Sequence, residues 1–170
     1  MFCQFIQRLM SGFYTSVQFC ILALNSKEDP MTLPLAIENE QEAAIAIVLS
    51  CMTGQQNQHL IDAQFRHLSR MLLFSAKFRS HSLEQLAEKA MPLLATYGSK
   101  KVIEYSASFI PDNFKETLFA MTCELVTTDG ELSETESEVI GVAALYLGIS
   151  IELMRVMLAT FLMRNRWNVM

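Results

Sequence analysis

The sequence is short of everything that breaks or staples a chain. It has six glycines, four prolines and one tryptophan in 170 residues. So few breakers leave long segments uninterrupted and favour helix. The four cysteines, Cys3, Cys20, Cys51 and Cys123, are far apart. There is no CxxC pair and no Cys/His cluster, which argues against a zinc site or a disulfide frame and fits reduced, buried thiols in a cytoplasmic protein. Lys and Arg number 13 against 18 Asp and Glu, a net charge of −5. Without a basic stripe, a nucleic-acid partner is disfavoured. No segment alternates with period two for long enough to make a strand. No glycine-rich phosphate loop and no nucleophile elbow is present, so no catalytic residue is assigned and a non-enzymatic protein is expected.

What is there is apolar and helix-forming. Hydrophobic residues make up 51% of the chain, enough for one domain with a full core. Eleven methionines suit a soft, adaptable core. From residue 31 onward, helical patterns follow one another. "IENEQEAAIAIVLSCMTG" carries a stripe at 44, 45, 47, 48 and 52, closed by Gly54. "IDAQFRHLSRMLLFSAKF" repeats the period. Ser82 with Gln85 opens a helix that Gly98 ends and that Pro92 should kink or shorten. "SKKVIEYSASF" is a short helix stopped at Pro111, and Asp112 caps the next. Ser133 with Glu136 forms a capping box, Gly148 ends that helix, and Ser150 caps the last. The expectation is an all-α bundle of about seven helices with short connections.

A weak repeat appears at an offset of 72 residues. Cys51 falls on Cys123, Leu60 on Leu132, Leu68 on Ile140 and Leu73 on Leu145. Two helix–loop–helix units with facing apolar stripes would follow. Asn57 falls on Asp129 and Gln64 on Glu136, so the first copy keeps the shapes without the charges.

"TTDGELSETE", residues 127–136, gathers Asp129, Glu131, Glu134 and Glu136 around Gly130 with no base among them. Hard cations need several oxygens at one point. With Gly130 in the sixth place of a calcium loop, Asp129, Ser133 and Glu136 take the fifth, ninth and twelfth. Thr127 in the third place is a weak ligand, and Leu125 in the first offers no side-chain oxygen. Asp129, Glu131 and Glu136 are thus candidate ligands of a divalent cation, calcium or magnesium. The same residues also make a turn followed by a capped helix start, with the acids favoured by the helix dipole. Both readings are open at this level.

Residues 120–150, "AMTCELVTTDGELSETESEVIGVAALYLGIS", resemble the signature segment of the TerB family of tellurite-resistance-associated helical proteins, and the related domain of the DjlA co-chaperone. The resemblance lies in Asp129, Gly130, Glu131, Leu132, Glu136 and the closing "LYLGIS". It implies a TerB-like helical domain over 31–170 that binds or senses within a stress-response assembly through protein partners. It also implies divalent-cation binding at Asp129 and Glu136, while Asn57 and Gln64 depart from the family's first acidic motif.

Residues 1–30 differ from the rest. They are apolar and aromatic, with Arg8 as the one charge before Lys27. Gln4, Gln7, Arg8, Ser11, Ser16 and Gln18 interrupt the run, which is too short to span a bilayer. Three readings are open: a helix docked on the domain, a translation start at Met31, and a targeting or membrane-contact segment. In the last, residues 1–24 would tether a co-chaperone-like regulator to a membrane. His59, His67 and His81 read as surface or boundary histidines, and Cys51 and Cys123 as inert core thiols. "RNRWNVM" reads as a helix C-terminus stabilised by Arg164 and Arg166.

Overall fold

The computed structural model describes residues 37–55 and 57–168. The extension 1–30 and its three readings lie outside the described residues, as do Cys3 and Cys20. Among the described residues there are six α-helices, a 3-10 turn and no strand. The helices are α1 (Glu40–Met52), α2 (Gln58–Phe74), α3 (Leu83–Ala107), α4 (Asp112–Val126), α5 (Glu134–Leu147) and α6 (Ile151–Asn165); the turn, Ala76–Phe78, follows α2. No helix among them is long and apolar enough to cross a membrane.

Helix α1 is the axis of the bundle. Every residue from Glu42 to Met52 is buried. The sequence pattern predicts a stripe, but an apolar helix with hardly a polar face is one that other helices surround. Its most extensive packing is with α3, followed by α4 and α5. Small residues suit such close approach: Ala43, Ala44 and Ala46 share the core with Ala87 and Ala90 of α3. The buried Glu42 starts α1. Its backbone N–H donates to Asn39 at 2.9 Å, and its carboxylate accepts from the Glu38 N–H at 2.9 Å and from Lys89.

Several local expectations need correction. Helix α3 runs through Pro92 with helical dihedrals and leaves them only at Gly98 (φ 75°, ψ 161°). Pro92 is exposed, so water can reach the carbonyl of Glu88 that loses its bond. The predicted break at Gly98 is thus present as a kink, with helical turns on either side. Asp112 is not a cap. Pro111 occupies the N-cap, and Asp112 is the first helical residue, paired with Lys115 at 2.7 Å. Gln85 donates its backbone N–H to Ser82, but the full reciprocal box forms only at Ser133 and Glu136. Gly54 follows the end of α1 without a positive φ; among the described residues the positive-φ glycines are 98, 130 and 148.

Positions 72 apart share their burial. Cys51 and Cys123 are buried, as are Leu68 and Ile140, and Gln64 and Glu136. Leu73 and Leu145 are both exposed, at 81% and 73%; so are the residues that follow them, Phe74 and Tyr146. Leu60 and Leu132 differ, the first in the core and the second half-buried in the loop before α5.

Candidate functional site

The acidic segment links the end of α4 to the start of α5. Thr127 and Thr128, both buried, turn their hydroxyls back onto the last helical turn. Thr127 Oγ1 donates to Cys123 O at 2.8 Å, and Thr128 Oγ1 to Leu125 O at 2.6 Å. Such back-bonding satisfies carbonyls that a helix end leaves orphaned. Gly130 then takes φ 79° and donates its N–H to Thr127 O at 2.8 Å. Asp129 Oδ1 accepts the N–H of Glu131 at 3.1 Å, a local Asx turn.

Glu136 closes the segment. Its Oε2 accepts from Ser133 N at 2.9 Å and Ser133 Oγ at 2.6 Å, while its own N–H donates to Ser133 Oγ at 3.2 Å. Oε1 accepts from Gln55 Nε2 at 3.4 Å. The residue is buried, and both its oxygens have partners.

This donor set does not fit a calcium loop. The twelfth-place carboxylate serves as a helix cap, the third-place hydroxyl serves α4, and Leu125 in the first place lies in the core. Glu131 is exposed. Among the described residues no group of three or more His, Cys, Asp or Glu is gathered to hold a metal ion. The geometry around Asp129, Glu131 and Glu136 is that of a turn and a capping box.

The segment also joins the two halves of the molecule. Gln64 of α2 donates Nε2 to Leu125 O at 3.1 Å, while Glu136 of α5 receives Gln55 from the loop after α1. The second helix of each unit therefore bonds to the other unit, α2 to the last turn of α4 and α5 to the loop after α1. Gln64 Oε1 has no protein partner among the described residues, and a buried amide oxygen left so costs stability. A Cβ on Gly54 would meet Thr135 Cγ2 at 3.4 Å, so the first turn packs against the start of α5.

The end of α6 seals the loop. Buried Asn165 donates Nδ2 to Thr127 O at 3.0 Å, and Asn168 Nδ2 to Thr128 O at 2.8 Å. Sequence reasoning assigned this tail to Arg164 and Arg166 acting on a helix end and missed the two asparagines. Arg164 reaches Glu124 of α4 instead.

The remaining candidates are two buried thiols and three histidines at or near the surface. Burial pushes the Cys51 thiol far above its usual range, and neighbouring Cys123 adds to this. Burial likewise pushes Cys123 up to about 12. Both stay protonated near neutral pH and are poor nucleophiles. His59 is exposed, His81 lies beside Ser80 Oγ at 3.3 Å, and His67 Nε2 is 3.4 Å from Glu124. These are the surface and boundary histidines that the sequence suggests.

His67, Glu124 and Arg164 edge a surface hollow of about 590 Å³ between α2, α4 and α6, which no sequence motif announces. Arg66 and Arg70, four residues apart on α2, also line it. That spacing, legible in "FRHLSR", is the one signal that could have found it. No family model matches the chain, and no curated protein or solved structure matches it either.

Proposed function

We propose that the chain is a non-enzymatic binding module of TerB type, built of two pseudo-repeated helix–loop–helix units, and that it serves as a binding or sensing component of a stress-response assembly. The TerB assignment and the stress role rest on the resemblance over residues 120–150. One observation supports binding: the matched exposure of Leu73-Phe74 and Leu145-Tyr146 at the ends of α2 and α5. Burial drives folding, so large apolar side chains left in water at equivalent places in both units contribute little to the core and suit contact with a partner. The 127–136 segment acts in this reading as the joint that fixes the two units relative to each other. The geometry lends no support to cation binding there.

The test is affinity capture with the full chain from its native cells, with and without about millimolar divalent cation. Wild type is compared with Leu73→Ser/Phe74→Ser and with Leu145→Ser. A defined protein partner is expected, retained by wild type and weakened by either variant, with melting temperatures unchanged. A partner set indifferent to both variants would overturn the reading. Sedimentation with membranes that depends on residues 1–30 would favour the tethered regulator.

A further inference from the structure

We propose that the hollow between α2, α4 and α6 is a binding site for a small phosphate monoester carried on an aromatic or apolar body. It lies apart from the acidic loop and shares only Phe74 with the proposed partner surface, and its test turns on Arg66 and Arg70, which that surface does not use. The chain as a whole is acidic, yet this hollow is lined by three guanidinium groups and one carboxylate. Glu124 is committed to Arg164 and His67. Arg66 and Arg70 are exposed and have no ion-pair partner among the described residues. Two uncompensated positive charges therefore face one cavity, where each guanidinium can present a planar fork of donors.

The charge balance selects the head group. Two free guanidinium charges match a phosphate monoester, which carries about −1.5 to −2 near pH 7, better than a single carboxylate. The shape selects the body. A volume of about 590 Å³ lies within the range of small-molecule sites. Met71 and Phe74 complete the wall, the first half-buried and the second 83% exposed. An aromatic or apolar body laid there would cover Phe74 while the phosphate sits between Arg66, Arg70 and Arg164. Glu124 acts as the internal competitor, holding Arg164 and His67 until an anion draws them away.

Phenyl phosphate, inorganic phosphate and benzoate, each titrated into the full chain and followed by NMR, test the site. Phenyl phosphate is expected to bind saturably, to shift the Arg66 and Arg70 side-chain N–H signals and the Met71 methyl, and to bind more tightly than either other probe. Arg66→Gln/Arg70→Gln should weaken it by about tenfold or more, since charge-assisted hydrogen bonds are lost. Both side chains are exposed, and an unchanged melting curve checks that the variant folds. Glu124→Gln should strengthen binding by freeing Arg164. Equal affinity for phenyl phosphate in wild type and the double arginine variant would overturn the proposal, as would no saturable binding by wild type. Binding of vesicles rich in phosphatidylglycerol that needs Arg66 and Arg70, with no response to phenyl phosphate, would overturn it in favour of a membrane surface.

Discussion

Single residues in the acidic segment divide into those that hold a backbone shape and those that fill a joint. Gly130 does both. Its φ of 79° strains any other residue, and a Cβ there would lie 2.7 Å from Arg166 Cα and 2.8 Å from Asn165 O. Gly148 has a similar φ of 71° but nothing within 4 Å of its Cβ position. Gly148→Ala should therefore cost only the left-handed penalty, about 1–2 kcal/mol. Gly130→Ala should cost about 1–3 kcal/mol more, because backbone rather than a side-chain tip must move. Urea unfolding of the two variants checks the difference, and equal losses would mean that the end of α6 is not docked at the loop. Asp129→Asn keeps an Oδ1 acceptor for the Glu131 N–H. It should change stability by less than about 0.5 kcal/mol, and calcium or magnesium should leave both proteins' melting temperatures alike. A cation-dependent melt in wild type that Asp129→Asn abolishes would restore the metal reading.

At the scale of elements, α1 has the most to lose, because it is buried on all sides. Its start depends on Glu42. Burial alone would raise the pKa of this carboxyl, but the Lys89 hydrogen bond, the Glu38 N–H and Asn39 together hold it below the usual carboxylate value. A depressed folded-state pKa gives stability that is present above the unfolded value of about 4.3 and is lost as pH falls through the folded value. Melting temperature should thus fall on acidification below about pH 5, and Glu42→Gln should flatten part of that fall while lowering stability at pH 7. An acid limb of the same slope in the variant would show that Glu42 does not contribute to it. Lys89 is half exposed, so water and salt screen the pair and moderate the effect. On α1 and α4, Cys51 and Cys123 should resist thiol reagents until the fold opens, in a Cys3→Ser/Cys20→Ser background. Rapid native labelling of both would contradict their burial.

On the scale of the whole molecule, the described core is built from residues at or beyond Ile37 and packs all six described helices together. A chain beginning at Met31 should keep its helical circular dichroism and a cooperative melt. A large loss of thermal stability on that truncation would show that residues 1–30 cover part of the domain. Helix α6 bears on the same question. Among its residues only Asn165 is fully buried, while Leu153, Met157 and Phe161 are half-covered. It is held at its C-terminal end by Arg164, Asn165 and Asn168, so Asn165→Ala should free α6 more than it disturbs the rest. Hydrogen exchange resolved by segment should show faster exchange in 151–165 than in 40–52, with the gap widening in the variant.

For the described residues, the helical class and most helix ends were legible in the amino-acid pattern. Ser133 with Glu136, Ser150, Gly98 and Gly148 were legible because capping and left-handed glycine depend on neighbours within about four residues. The burial of both thiols was legible because each sits in an apolar run. The rest depended on how the helices pack. A stripe on α1 could not reveal that helices close over its other faces, and Pro92 could stay in a helix because its lost bond faces water. Asp112 lost its capping role to Pro111, a matter of where the chain turns in space. The acidic segment was undecided in sequence because a turn, a cap and a cation loop call for the same residues. The fold settled its shape by bringing Gln55 from the other unit onto Glu136 and by laying Asn165 and Asn168 across the threonine carbonyls. The basic hollow is of the same origin in part: Arg66 and Arg70 lie four apart on α2, but Glu124 and Arg164 join them only when α4 and α6 pack alongside.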